Sequence, residues 1–244
     1  MNRIFNKENI KKEISYLAVA MSGGFLLGAF LCFIIVKVFG STEEDMTVFP
    51  LGSIMCIGAG LMFLVIFGIF GLKGRFEMAV CMSCTRKRFL LQEIAANILV
   101  ILLFLMLGLV YNAMESLLFR LVYKGIPVEW DMFGFYKEYV LSPMNFILMI
   151  LIVLAWRLLF GTLFIKFGQM FFWCSWIIWM ILCMAPSKLV HHLGDAQLER
   201  LSLFFTTVMD QCGGYFIHFV GIMISMVCIV IAAFMLRKQE AKGY

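Results

Sequence analysis

Residues 73 to 89 combine cations with apolar side chains in a pattern that suits docking against another protein. The segment carries five Lys and Arg residues and lies between two long apolar runs. Four of its residues recur at the i, i+3, i+4 and i+7 spacing of one helix face: Phe76, Ala79, Val80 and Ser83. We predict an amphipathic helix against the membrane surface, and the alternative is a plain basic membrane anchor.

Two other groups contain metal-binding residue types without completing a metal site. Cys81 and Cys84 form a Cys-x-x-Cys pair, but a structural zinc site needs four ligands and no second pair is close in the sequence. His191, His192 and Asp195 share helical spacing, which we interpret as a solvated outer helix. The sequence also lacks a glycine-rich phosphate loop ending in Gly-Lys-Ser/Thr. We expect no metal, no cofactor and no catalytic residue in this chain.

The elements that position these residues are predicted to be membrane-spanning helices. Hydrophobic residues make up 63% of the 244-residue chain, whose mean hydropathy is +0.98, whereas ordinary soluble domains have roughly 45 to 50% apolar residues. Continuous apolar runs favour helices over a barrel. We predict one all-α transmembrane domain over residues 1–244. Its six spans come near the ~20 residues needed to cross a membrane: 17–39, 50–72, 90–114, 143–160, 162–185 and 213–236.

Polar and small residues within these runs are interpreted as structural. Arg157 and Lys166 flank a predicted turn at Gly161, where long cationic side chains can reach the membrane interface. His218 lies in the sixth span and is expected to hydrogen bond a neighbouring helix. The small residues within 21–25 are expected to allow close helix packing.

The distribution of cations predicts the orientation of the chain. Fourteen of the 20 Lys and Arg residues fall on the face that carries both termini and the 73–89 segment. Because cytoplasmic loops hold the excess of cations, this face is predicted to be cytoplasmic. The net charge of +5 is then explained by the anionic inner leaflet, and we expect membrane lipid but no nucleic acid as a partner.

The segment Met82-Ser83-Cys84-Thr85-Arg86-Lys87-Arg88-Phe89 resembles the link between spans two and three in permease subunits of type V ABC exporters. In that family it commonly reads Met-Gly-x-Ser/Thr-Arg-Lys-x-Phe and forms a coupling helix that docks into the ATPase; here Ser83 replaces the glycine. The resemblance implies nine ATPase-contact residues: Phe76, Glu77, Ala79, Val80, Ser83, Thr85, Arg86, Lys87 and Arg88. Residues 1–16 are similar to the family's interfacial elbow helix, and their mixed basic and apolar sequence suits that position.

Two further segments are predicted on the outer face. Residues 115–143 are rich in aromatic side chains, which is typical of an interfacial belt. Residues 186–212 are too polar to span the membrane and too apolar for a free loop. In the family this position holds re-entrant helices over the exit path. The resemblance therefore implies an outer gate that includes Leu189, His191, His192, Asp195, Leu198 and Phe204.

The resemblance implies a non-enzymatic, multi-pass permease subunit of an ATP-driven exporter in a bacterial-type plasma membrane. Two copies of a separate ABC ATPase would hold ATP and Mg, and a second permease copy or a related permease would complete the pore. The abundance of Met and aromatic residues favours an amphipathic cargo, and similarity to phenol-soluble modulin exporters implies peptides. The alternatives are lipid or small-drug efflux, a membrane-embedded enzyme, and an immunity or sensor subunit.

Overall fold

The helices of the protein follow the apolar runs of its sequence. A computed structural model describes residues 2–39, 49–81, 84–122, 131–192 and 195–238, and side chains at 2–7, 39, 179 and most positions from 182 to 217 lie outside that description. A π-helical turn, Tyr136–Val140, follows the fourth helix. The other elements in these ranges are α-helices: α1 (Asn2–Phe39), α2 (Leu51–Cys81), α3 (Arg86–Val122), α4 (Met132–Phe135), α5 (Pro143–Phe167), α6 (Gln169–His192) and α7 (Asp195–Lys238).

Within the described residues, five helices contain a stretch long and apolar enough to cross a membrane: Glu8–Val38, Leu51–Cys81, Arg86–Val122, Pro143–Phe167 and His218–Lys238. The prediction of an all-α, multi-pass membrane protein is confirmed by these helices. The described apolar part of α6, Gln169–Ile178, is shorter, so the sixth span stays a prediction. Residues 2–39 form one continuous helix. A separate elbow helix is not distinguished within it and stays a prediction.

An apolar core runs along the middle of the bundle. Five helices contribute buried residues to it, among them Leu17, Met21, Leu64, Phe104, Leu158 and Ala232. Helices α1 and α2 approach closely at Gly24, where a methyl group would lie 2.7 Å from the carbonyl oxygen of Met55. This contact confirms the close packing expected of the small residues within 21–25.

The predicted turn at Gly161 is wrong. Helix α5 continues through Gly161 to Phe167, and the chain turns at Gly168, whose φ of 63° is readily adopted only by glycine. At Gly161, a methyl group would lie 2.5 Å from Cδ2 of Leu72. The glycine within the apolar run therefore permits a close contact between α5 and α2.

The end of the bundle at which α2 passes into α3 is called here the hairpin end. Leu236, near the end of α7, packs there against Phe76 of α2 and Phe89 of α3. Ile165, near the end of α5, lies against the same cluster. Helices α5 and α7 therefore both end at the hairpin end.

The opposite end, at which α2 begins, is called the far end. His218 of α7 hydrogen bonds Asn145, close to the start of α5, which confirms the expected bond between His218 and a neighbouring helix. Since α5 and α7 run in the same direction, the chain between Phe167 and His218 has to return along the bundle.

Candidate functional site

Four charged side chains from four different helices meet near the hairpin end. Glu13 comes from α1, Arg75 from α2, Glu93 from α3 and Arg157 from α5. Glu13, Glu93 and Arg157 are only 3%, 5% and 1% exposed, respectively. Ionisable residues are rare in membrane-spanning segments and commonly pair with one another. We call these four residues the charge cluster.

Arg75 joins three of the four helices at the charge cluster. Its Nε and Nη2 donate to Oε2 and Oε1 of Glu93 at 3.1 and 2.5 Å. Its Nη1 donates to Oε2 of Glu13 at 3.4 Å. This two-pronged contact with Glu93 uses the planar geometry that makes Arg–carboxylate pairs strong and specific. Helices α1, α2 and α3 are thus held together by a single guanidinium.

Arg157 completes the charge balance of the cluster. Its Nη2 donates to Oε1 of Glu13, the oxygen that Arg75 does not use. Two carboxylates therefore face two guanidinium groups, with no net charge among the four. Such a balance matters because an unpaired charge in a low-dielectric interior is far more costly than a paired one.

The interpretation of Arg157 as a cation at the membrane interface is wrong. A cation that reaches the membrane interface would keep its guanidinium in water, whereas Arg157 is almost completely buried and bonded to Glu13. Its pairing with Glu13, and that of Glu93 with Arg75, were not predicted from the sequence. One signal was present in the sequence: Glu13, Glu93 and Arg157 each interrupt or closely flank an apolar run, and such charges require partners of opposite sign.

The 73–89 segment is divided between two helices and the turn that joins them. Residues 73 to 81 continue α2, and α3 begins at Arg86. Phe76 is 3% exposed and contacts Phe89 edge-on, with ring centroids 5.6 Å apart. Ala79 and Val80 pack against the same cluster. The predicted apolar face thus packs largely against the protein's own helices.

Several polar side chains of this hairpin are exposed, unlike Arg75. Glu77, Thr85, Lys87 and Arg88 are exposed. Arg86 is half-buried, and its Nη1 donates to the carbonyl oxygen of Arg237 at 2.7 Å. Ser83 lies outside the described residues. A partner that reaches this tip would meet the cations Lys87 and Arg88 beside the exposed Met78 and Cys81, on a base fixed to α7.

At the far end, a buried carboxylate binds backbone rather than a cation. The two carboxylate oxygens of Glu115, on α3, accept hydrogen bonds from the amides of Gly52 and Ser53 at 2.8 and 2.7 Å. These amides begin α2 and have no acceptor within their own helix, because the first turn of every helix lacks one. Glu115 therefore caps α2 from a neighbouring helix, and the negative charge suits the positive end of the helix dipole.

The aromatic segment 115–143 contributes a side chain to the bundle interior. Tyr136 is buried and its hydroxyl donates to the carbonyl oxygen of Leu105 at 2.8 Å. A methyl group at Gly108 would lie 2.7 Å from that hydroxyl, so the ring rests on an open strip of α3. Burial raises the pKa of the Tyr136 hydroxyl above its ordinary value, and Tyr136 stays a donor at neutral pH. Tyr136 thus lies in the interior, away from any interfacial belt.

The side chains predicted to form the outer gate lie outside the described residues. The backbone of Leu189, His191 and His192 belongs to the end of α6. The backbone of Asp195, Leu198 and Phe204 belongs to the first part of α7. The gate assignment stays a prediction.

No protein-family model, curated protein or solved structure matches this chain. The geometry of the charge cluster and of the hairpin therefore carries the functional argument.

Proposed function

We propose that this chain is the permease subunit of an ATP-driven exporter of the ABC type, with both termini and the hairpin end in the cytoplasm. The observation that carries the proposal is the exposed cationic tip of the α2–α3 hairpin, mounted on a base of buried ion pairs. Lys87 and Arg88 are exposed, while Arg75 and Glu93 join the two arms of the hairpin close behind them. Force applied at such a tip passes to four helices through the charge cluster.

The direction of α5 and α7 supports a six-span topology. Both helices end at the hairpin end, so the chain between them has to cross the bundle once more. Helix α6 contains 24 residues, which at 1.5 Å per residue gives about 36 Å. That length is enough to cross a hydrocarbon core of about 30 Å. A crossing by α6 would be added to the five other spans. Six crossings, an even number, would bring both ends of the chain to one face of the membrane.

The charge distribution supports a cytoplasmic hairpin end and an acidic docking surface on the partner. Lys11, Lys12, Lys87 and Arg88 are all exposed near this end, as the cytoplasmic excess of cations requires. In this proposal two copies of a separate ATPase bind ATP and Mg, and a second copy of this chain or a related permease completes the pore in a bacterial-type plasma membrane. The cargo is an amphipathic peptide.

Charge reversal at the tip tests the docking. The chain would be affinity-purified from its native membranes, and the ATPase that accompanies it measured by ATP turnover and by labelling with a photoreactive ATP analogue. We expect Lys87→Glu with Arg88→Glu to reduce copurified ATPase at least tenfold, because one close charge pair across an interface contributes about 1.5 kcal/mol or more. Lys11→Glu with Lys12→Glu is the matched control, since it reverses two exposed cations on α1.

The outcomes separate docking from membrane anchoring. Loss of ATPase with the hairpin pair, but not with the α1 pair, supports a docking tip. Full ATPase recovery with both pairs would make the tip a basic anchor. Equal loss with both would indicate a general dependence on positive charge.

In the purified complex, an amphipathic helical peptide should stimulate ATP turnover more than a scrambled peptide of the same composition, and equal stimulation would contradict the peptide cargo.

A further inference from the structure

The charge cluster consists of a saturated part and an unsaturated part. All four carboxylate oxygens of Glu13 and Glu93 accept a hydrogen bond. Arg75 donates from Nε, Nη1 and Nη2. Arg157 donates from Nη2 alone, and its buried Nε and Nη1 have no partner among the described residues. The cluster therefore has more donors than acceptors, and the deficit falls on Arg157.

A glycine on α2 gives the Arg157 side chain its position. A methyl group at Gly68 would lie 2.6 Å from Nε of Arg157 and 2.8 Å from its Cγ. The side chain thus lies across the bare backbone of α2 on its way to Glu13. One carboxylate oxygen and a shallow groove hold Arg157, whereas two carboxylates hold Arg75.

The two halves of the cluster differ in what separation would cost. Pulling Arg75 away from Glu93 breaks two charge-assisted hydrogen bonds and leaves the Glu93 carboxylate without a partner among the described residues. Pulling Arg157 away from Glu13 breaks one hydrogen bond, and it lets the unpartnered Nε and Nη1 find acceptors, which relieves the penalty of leaving them buried and unpaired. Separation is therefore easier between α5 and α1 than between α2 and α3.

We infer that the Glu13–Arg157 pair is an exchangeable lock that closes the hairpin end of the bundle. When it opens, α5 moves away from α1 and Arg157 takes its donors to water, while Arg75 keeps α1, α2 and α3 together. The open form admits water to the core beside Arg157. The lock belongs to the chain by itself and needs no ATPase. The lock can therefore fail while the proposed function stands, and the proposed function can fail while the lock stands.

Thiol labelling of the purified full-length chain measures this opening. Leu158, next to Arg157, is fully buried in the core, so Leu158→Cys places a thiol that reacts only when the hairpin end opens. Cys56 is also fully buried and lies one turn from Ser53, at the far end. All native cysteines except Cys56 are replaced. Labelling by a water-soluble maleimide then reports local opening at position 158 and global unfolding at Cys56.

We expect Glu13→Gln to raise the labelling rate at position 158 about tenfold while the Cys56 rate stays unchanged, because the rate follows the population of the open form. Gly68→Ala should have the same effect, since it displaces Arg157 and removes no charge. Lys166→Met, which removes an exposed cation from the same helix, should leave both rates as they are.

A double variant separates a lock from a merely structural ion pair. The double variant Glu13→Gln with Arg157→Met removes both charges of the pair, so neither is left buried alone. Its Tm should therefore recover towards that of the unchanged protein. The labelling rate at position 158 should nevertheless stay high, because the lock is gone. The inference is overturned if labelling returns to the slow rate together with the Tm, if both thiols always react together, or if Gly68→Ala leaves position 158 protected.

Discussion

The hairpin end and the far end of the bundle hold their helices together with different chemistry. At the hairpin end, side chains bind side chains of opposite charge, as Arg75 does with Glu93. At the far end, the buried carboxylate of Glu115 instead binds backbone, at the amides of Gly52 and Ser53. Side-chain pairs can exchange partners by rotation, whereas a cap on a helix start holds the backbone itself. The difference indicates a bundle that opens at one end and is fixed at the other.

The spacing of the two ends matches the membrane. Glu93 and Glu115 lie on the same helix, 22 positions apart, which corresponds to about 33 Å. The hydrocarbon core of a bilayer is about 30 Å thick. A bilayer whose hydrocarbon core lies between these two residues would place the buried carboxylates close to its two boundaries.

The largest expected effect comes from removing the centre of the charge cluster. Arg75→Met leaves Glu93 without a partner and removes one of the two partners of Glu13. Breaking a buried ion pair from one side costs about 3 to 5 kcal/mol, so we expect the Tm of the purified chain to fall by roughly 10 °C. Arg88→Met, an exposed cation on the same hairpin, should change the Tm by less than about 2 °C. Equal shifts in the two variants would mean that burial of the cluster contributes nothing.

An intermediate effect is expected where α1 meets the start of α2. A methyl group at Gly28 would overlap the carbonyl oxygen of Leu51, so Gly28→Ala forces two backbones apart and should destabilise the protein by about 1 to 3 kcal/mol. Gly23→Ala meets nothing within 4 Å and should be neutral or stabilising by up to about 1 kcal/mol, because alanine favours a helix. Thermal unfolding in detergent compares the pair. A neutral Gly28→Ala would show that the far end tolerates separation as readily as the hairpin end.

The smallest effect concerns the hydroxyl of Tyr136. Tyr136→Phe removes one buried hydrogen bond, worth about 1 kcal/mol. The folded protein holds this proton to a higher pH than the unfolded chain does. The contribution of Tyr136 to the free energy of unfolding is therefore complete below an unfolded-state pKa of about 10. It is lost as pH rises toward the raised folded-state value. The Tm of the unchanged protein should therefore fall more steeply above pH 10 than that of Tyr136→Phe; parallel slopes would contradict a buried, protonated hydroxyl.

Five of the six spans could be predicted from the sequence, because burial in lipid imposes continuous apolar runs, and these are visible residue by residue. The pairing of buried charges across the bundle could not be predicted from the sequence. Glu13 and Arg157 are 144 positions apart, and no local pattern indicates which buried charge meets which. The turn after α5 was misplaced for a similar reason. Gly161 and Gly168 are both glycines near the end of an apolar run, and only the packing of Leu72 against Gly161 distinguishes a contact from a turn.

The cap that Glu115 provides has a consequence for how the protein is made. Its acceptors arrive 62 residues after the amide of Ser53 that they bind, which at ~5–20 residues per second is an interval of roughly 3 to 12 s. During that time the start of α2 has amides that hydrocarbon cannot satisfy. Until α3 has been synthesised, these amides need water or headgroups as hydrogen-bond partners. We therefore expect α2 and α3 to insert as a pair, and a chain truncated before residue 115 to be cleaved more readily near the start of α2 than the full chain.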